Sequence, residues 1–288
     1  MQRRTIILFA LLAVLGVYAF IEPRWPEKRI YTIVDPDIPP KFHNLKFAFI
    51  SDIHHGPYFD ISRVRRMVDK VKQEKPDLIL LGGDYVHTSL SYIRPCFEEL
   101  KALNAPLGVY GVLGNHDHWE GTQLTKAGLA AAGITQLDND AFWVVKEGER
   151  IKIGGIGDYF EDTQDIRPTI ADVQETDFVI LLSHNPDYAE ELKTDKIDLM
   201  LSGHTHGGQV TLFGLWAPIV PSKYGQKYRS GLIDLDETEL IVSNGIGTIT
   251  PPIRLCARPQ IVTVILKRES SGSSPVSDPT PAIASARK

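Results

Sequence analysis

Lys46-Phe47-Ala48-Phe49-Ile50-Ser51-Asp52-Ile53-His54 decides the fold of this chain. The run up to Ile50 is apolar after its first residue and continuous rather than alternating. Strands buried on both faces read this way. Two metal-competent side chains, Asp52 and His54, follow directly at its end. The same order recurs four more times. The run ending at Leu81 leads into Gly82-Gly83-Asp84, and the run ending at Leu113 into Gly114-Asn115-His116-Asp117. The run ending at Leu182 leads into Ser183-His184, and the run ending at Leu201 into Gly203-His204-Thr205-His206. In open α/β sheets ligands bind beyond the carboxyl ends of the strands. The pattern therefore predicts one site assembled from five loops.

Working outward, strand-like runs occur at Leu45–Ile50, Leu78–Leu81, Val109–Leu113, Ile151–Gly155, Phe178–Leu182, Leu199–Leu201, Leu240–Val242 and Ile261–Leu266. Helix-like stretches lie between several of them. Ile61–Glu74 puts Val64, Met67, Val68 and Val71 at helical spacing; Phe97–Leu103, Thr122–Ala132 and Tyr188–Leu192 are similar. Strands alternating with helices predict a layered α/β fold.

The residues gathered at the strand ends are Asp52, His54, Asp84, Asn115, His184, His204 and His206. All offer nitrogen or oxygen, and none is a thiolate. Imidazoles mixed with carboxylates suit manganese, iron or zinc rather than an all-oxygen calcium cage. Seven donors are too many for one catalytic ion that must keep an open position. They suit two divalent metal ions sharing a carboxylate. Two ions about 3.5–4 Å apart can bridge a water, lower its pKa and hold both the attacking and leaving oxygens of a phosphoryl displacement. A lone Asp-x-His or Gly-Asp would be ordinary; five such motifs, each at a strand end, are not. Glycines at 83, 114 and 203 fit tight turns close to the ions. His43 reads as a surface residue, and His55, His87 and His118 as neighbours of the motifs rather than ligands.

Composition sets the outer bounds. The chain has 288 residues, 43% hydrophobic and 23% charged, which suits one large domain with additions at both ends. A formal net charge of −5 with no long basic run argues against nucleic acid as a partner. Cys96 and Cys256 match no metal or redox spacing and read as packed thiols.

Thr5–Ile21 is an uncharged apolar segment of 17 residues preceded by Arg3 and Arg4. It reads as a transmembrane signal anchor covering residues 1–21. A cleaved signal peptide, a twin-arginine signal and a buried soluble helix are the rivals. The expected topology is single-pass, in the cell membrane, with the domain outside the cytoplasm. Residues 22–43 read as an extended linker, because Glu22–Pro40 holds five prolines and no helical period. The domain then spans 44–268. Residues 269–288, rich in Ser, Pro and Ala, read as a disordered tail.

In these motifs the sequence closely resembles the calcineurin-like metallophosphoesterase superfamily over about Lys46 to Lys267. Gly203-His204-Thr205-His206-Gly207-Gly208-Gln209 resembles the membrane-associated bacterial branch of the YkuE/YaeI type. Ser222–Gly225, Gly245–Thr248 and Arg258-Pro259 add to that likeness. The resemblance implies a four-layer αββα sandwich of two mixed β-sheets. It implies that Asp52, His54 and His206 hold a first ion, that Asn115, His184 and His204 hold a second, and that Asp84 bridges them. His116 would face the substrate phosphate as general acid or as a charge partner, and Asp117 would hydrogen-bond His116 and fix its ring.

The function so implied is hydrolysis of phosphodiester or pyrophosphate bonds by a metal-bridging hydroxide, on a membrane or lipid-linked substrate. A UDP-2,3-diacylglucosamine-type pyrophosphatase and a phosphoprotein phosphatase are the alternatives. A non-catalytic metal-bound module, from a different class, would be expected to have lost site residues, and none is missing. One further stretch stands out. Val210–Pro221 (VTLFGLWAPIVP) carries no charge. Its plainer reading is a strand and turn packed in the core; its functional reading is an apolar lip that touches a bilayer or an acyl chain.

Overall fold

A computed structural model describes residues 2–269. In chain order the elements are α1 (Gln2–Ile21), β1 (Glu27–Asp35), β2 (Lys46–Ile50), α2 (Ile61–Gln73), β3 (Leu78–Leu81), α3 (Ile93–Leu100), β4 (Val109–Gly111) and α4 (Asn115–Ala132). They continue with β5 (Thr135–Gln136), β6 (Asp140–Lys146), β7 (Glu149–Gly155), α5 (Arg167–Ile170), β8 (Val179–Leu182), β9 (Leu199–Ser202), β10 (Gly231–Asp234), β11 (Glu239–Val242) and β12 (Gln260–Arg268).

The strands form two six-stranded sheets, ordered β1-β12-β2-β3-β4-β5 and β10-β11-β9-β8-β7-β6. Both are mixed: β2, β3, β4 and β5 run parallel while β12 is antiparallel to β2, and β7, β8, β9 and β11 run parallel while β6 and β10 are antiparallel at the edges. One apolar layer fills the space between the sheets, with Phe47, Phe49, Leu80, Ile153, Ile180, Leu201 and Val264. A second packs α2, α3 and α4 on the first sheet, and a third covers the outer face of the second sheet. The architecture is the αββα sandwich.

α2 shows how the outer layer is fixed. Asp60 caps it by accepting the Arg63 backbone N–H at 3.0 Å. Val64, Met67, Val68 and Val71, at helical spacing, are all buried. Each contributes about 1.5–3 kcal/mol relative to exposure. β2, β3, β8 and β9 are buried on both faces, as their continuous apolar runs require.

Several expectations are corrected. Within 22–43, Glu22–Arg24 and Pro40–Phe42 are 3-10 turns, and Glu27–Asp35 is not a free spacer: β1 pairs in parallel with β12 over nine residues, and Ile33 is buried. The run of prolines around it hides a half-exposed edge strand. β5 and β10 are too short to carry a long apolar run, and β6, which holds the run 141–145, is a largely exposed edge strand; none of the three was expected as a strand. The 188–192 stretch is a 3-10 turn, Pro186–Glu190, rather than an α-helix. α4 begins at Asn115, well before Thr122, with a break in helical geometry at Gly121. Phe213, Leu215, Trp216 and Ile219 are 80%, 61%, 51% and 76% exposed, so the packed-core reading of 210–221 fails. Cys96 is buried and Cys256 exposed; they form no bridge. The tail beyond Glu269 lies outside the described residues.

Arg4–Arg24 is long and apolar enough to cross a membrane, and most of it is unburied by the domain. Its last turn is docked. The Ala19 carbonyl accepts the Arg254 N–H at 2.9 Å, and the buried Glu22 carboxylate accepts the N–H groups of Cys256 and Ala257 at 2.9 and 2.7 Å.

Candidate metal centre

All seven donors expected from sequence converge at the carboxyl ends of β2, β3, β8 and β9 and at the start of α4. The backbone there is unusual. Asp52, His54, Asp84, His204 and His206 all have positive φ, between 47° and 67°. Side-chain-bearing residues rarely adopt that conformation, and it persists only where the surroundings impose it. Close packing imposes it here. A Cβ on Gly203 would lie 2.3 Å from Asp52 Oδ2, and one on Gly114 would lie 2.3 Å from Asp84 Oδ1. These two motif glycines are required by the approach of the backbone to the carboxylates.

Asp84 lies at the middle. Its Oδ2 is 3.3 Å from His184 Nε2 and 3.4 Å from His54 Nε2, and its Oδ1 accepts the His116 backbone N–H at 2.9 Å. On one side, His54 Nε2 and His206 Nε2 face each other at 3.1 Å, with Asp52 Oδ1 at 4.0 and 3.6 Å. On the other, His204 Nδ1 stands 3.0 Å from Asn115 Oδ1, and His184 Nδ1–H donates to the Gly82 carbonyl at 2.7 Å. The Gly82 bond leaves His184 Nε2 with a free lone pair, and the His204 ring also bonds the Pro221 carbonyl. Two groups, Asp52/His54/His206 and Asp52/Asp84/His184, each bring their ligand atoms within 4.8 Å of one another.

The residues fit a pair of cations on chemistry as well as distance. Asp52 Oδ2 and His184 Nε2 are buried without a hydrogen-bond partner. Buried polar atoms without partners are costly unless something else binds them. Burial pushes Asp52 up to about 6, with Asp84 adding to the shift. Burial holds His54, His206 and His204 below the ordinary imidazole range, His204 at about 3. Neutral imidazole is the ligating form. Burial opposes charge on His184 too, yet Asp84 raises it well above that range. The carboxylate pair thus demands positive charge at this point.

The expected bond between Asp117 and the His116 ring is not formed. Asp117 Oδ2 accepts the N–H of Asp84 and of Gly114, at 2.7 and 2.9 Å, and Oδ1 accepts the N–H of Tyr85 at 2.9 Å. From the third position of α4 it caps the helix backward onto Gly114 and ties that helix to the Asp84 loop. The His116 ring instead meets His87, Nδ1 to Nδ1 at 3.3 Å, and stands against His54 and Trp119 at centroid distances of 4.7 and 4.6 Å. His87 is 9% exposed, so it is neither solvated nor remote.

Two more residues escape the sequence reading. Asp158 follows the end of β7, is buried, and accepts the N–H of Phe160 and Glu161. Its position after a strand end is the signal that would have found it. Arg254 is fully buried and donates to the carbonyls of His206, Ala257, Asn244 and Gly247, with Nη2 3.4 Å from His206 Nδ1. No local motif marks it.

Comparison with known proteins agrees with this geometry. The family model for calcineurin-like phosphoesterases matches residues 45–208. The uncharacterized metallophosphoesterase YkuE of Bacillus subtilis is 32% identical over 88% of this chain and 89% of its own length. The phosphodiesterase YaeI of Escherichia coli is 31% identical over 87% of this chain and 92% of its own. A transmembrane protein with metallophosphoesterase domain from Danio rerio is 28% identical over 92% of this chain and 63% of its own.

Proposed function

This chain belongs to the calcineurin-like phosphoesterase family and is a metal-dependent hydrolase, and we propose that it cleaves phosphodiester or pyrophosphate bonds of a membrane-resident, lipid-linked substrate. In this reading Asp52, His54 and His206 hold one divalent ion, Asn115, His184 and His204 hold the other, and Asp84 is shared. Manganese, iron or zinc suits that donor set. Such ions supply an activated water and positive charge for phosphoryl oxygens. Asp84 carries the reading: one oxygen of one buried carboxylate sits within 3.4 Å of a donor from each group. The N-terminal end of α4 adds its N–H dipoles at the same place.

His116 is proposed as the general acid. Its ring is half-buried at the mouth and is not one of the seven donors. It protonates the leaving oxygen, and His87 orients it through the Nδ1 contact. Trp119 and Phe160, both exposed, flank the opening and suit a substrate with a planar or apolar part.

The lipid-linked part of the proposal is supported by the placement of the anchor. Residues 1–21 act as the membrane anchor. Arg254 joins the end of α1 to ligand His206 by one residue, through the Ala19 carbonyl on one side and the His206 carbonyl on the other. The exposed apolar loop 212–219 leaves the same loop, since Thr211 N–H bonds the Leu255 carbonyl at 2.9 Å. The domain is assigned to the extracytoplasmic side; protease added to closed, right-side-out vesicles then removes it. Protection until lysis would place it in the cytoplasm and favour the UDP-diacylglucosamine-type substrate.

The deciding experiment is an activity panel on the full chain in detergent, with manganese, iron or zinc. It compares p-nitrophenyl phosphate, bis(p-nitrophenyl) phosphate and nucleotide-diphosphate lipids. Turnover of the diester and of a lipid pyrophosphate is expected. A protein with two ions bound that hydrolyses only phosphorylated peptides would replace this reading with the phosphatase one.

A further inference from the structure

Beside the anchor lies a cavity of about 370 Å³ that contains none of the seven metal donors. Its walls come from the end of α1, with Phe20 and Arg24, and from one face of α2, with Arg63, Arg66 and Lys70. Three- and four-residue spacing puts those α2 cations on the same side of the helix. Four cations therefore face one space. Three of them hydrogen-bond neutral oxygens. Arg24 donates to the Phe20 carbonyl, Arg63 to the carbonyls of Tyr58 and Pro23, and Arg66 to Ser62 Oγ. The single carboxylate in the lining, Asp60, accepts Ser62 Oγ–H at 2.5 Å and the Arg63 N–H at 3.0 Å and offsets one of the four charges. Four cations against one carboxylate leave the cavity with a net positive charge. Its effect is visible on Arg63, pushed down to about 10 by burial and by the nearby Arg24.

Position identifies the ligand. α1 presents exposed apolar side chains along its length, from Ile6 to Phe20 and Ile21. Arg24 stands one turn beyond, where an apolar helix that crosses a bilayer meets the headgroups. The cavity opens at that depth. Phe20, 55% exposed, offers an apolar wall on its bilayer side. Guanidinium and ammonium groups at headgroup depth match a phosphate.

We propose that this cavity is a binding site for the phosphate of an anionic phospholipid, with the acyl chains lying along α1 at Phe20. The bound lipid fixes the tilt of the domain on the bilayer, and with it the height of the metal centre. The inference rests on α1 being embedded in the membrane. It does not depend on the catalytic assignment.

The test uses the full-length, metal-loaded protein in detergent micelles containing equal amounts of phosphatidylglycerol and phosphatidylcholine. Native mass spectrometry counts retained lipid. Phosphatidylglycerol should be retained over phosphatidylcholine by at least about fivefold. Arg66→Ala with Lys70→Ala should bring the two lipids to parity. Both side chains are exposed, so the fold is kept; turnover of bis(p-nitrophenyl) phosphate should stay unchanged, which separates this result from any failure of the catalytic reading. Lys28→Ala with Arg29→Ala removes the same charge from β1, outside the cavity, and should keep the preference. Parity in the unmodified protein, or equal loss in both double variants, overturns the site. Displacement of the lipid by millimolar inorganic phosphate would show a site for free phosphate and overturn the lipid assignment.

Discussion

His87 and His116 face each other through their Nδ1 atoms at 3.3 Å, so one ring must donate and the other accept. This contact takes the place expected of Asp117. It ties the proposed acid to the loop that follows Asp84 rather than to its own helix. His116→Asn is expected to keep both ions and lower kcat by about 10²–10⁴. His87→Ala should also keep the ions but lower kcat by only about tenfold, with the loss shrinking for esters with good leaving groups. Metal content by ICP, measured beside turnover, checks both; metal loss in step with activity would make His116 a ligand instead.

Asp84→Ala removes the carboxylate that lies between the two donor groups. Two cations so close repel unless a shared anion offsets them. Bound metal and nearly all activity should be lost together, while the melting curve stays cooperative. Full activity with two ions bound would rule out Asp84 as the shared ligand.

Asp117→Asn keeps the shape but turns one acceptor into an N–H₂ group that meets backbone N–H donors. An unsatisfied buried pair costs about 1–3 kcal/mol. At about 2–4 °C per kcal/mol, the melting temperature should fall visibly. Metal affinity should fall with it, because the Asp84 and Gly114 turns lose their tie. A normal melting temperature with reduced kcat alone would return Asp117 to the role of ring partner.

Trp216→Ala combined with Phe213→Ala tests the apolar loop. Both side chains are more than half exposed, so stability should hardly change. KM for a lipid-linked substrate should rise while turnover of a small soluble ester stays the same. Equal loss on both substrates, with a lowered melting temperature, would mean that these side chains support the fold.

The start of the domain can be tested by truncation. A chain beginning at Glu22 keeps β1 and the carboxylate that caps Cys256 and Ala257. It should match the full chain in metal content and melting temperature. A chain beginning at Pro36 strips β1 from β12 and leaves that nine-residue strand as an open edge. Open edges pair with other chains. Aggregation and a melting temperature lower by at least about 5 °C are expected. Equal behaviour of the two would make β1 dispensable.

The sequence by itself determined the central strands and the donor set. β2, β3, β8 and β9 are buried on both faces, so each is a nearly continuous apolar run, and each run ends in a loop that brings in a metal-competent side chain. Ligand type and order are local properties, and Asp52, His54, Asp84, Asn115, His184, His204 and His206 are legible for that reason. Tertiary structure alone decided the rest. Edge strands such as β1 and β10 see the core with few residues, so no period announces them. Asp117 could not be assigned from its neighbour His116, because two of its three partners are backbone N–H groups that arrive from the β3 loop, 32 and 33 residues away. Arg254 has no motif, since its meaning lies in carbonyls gathered from 206 to 257. The apolar stretch 212–219 reads the same whether buried or bare; only the packing of its neighbours left it facing outward, beside the end of the anchor.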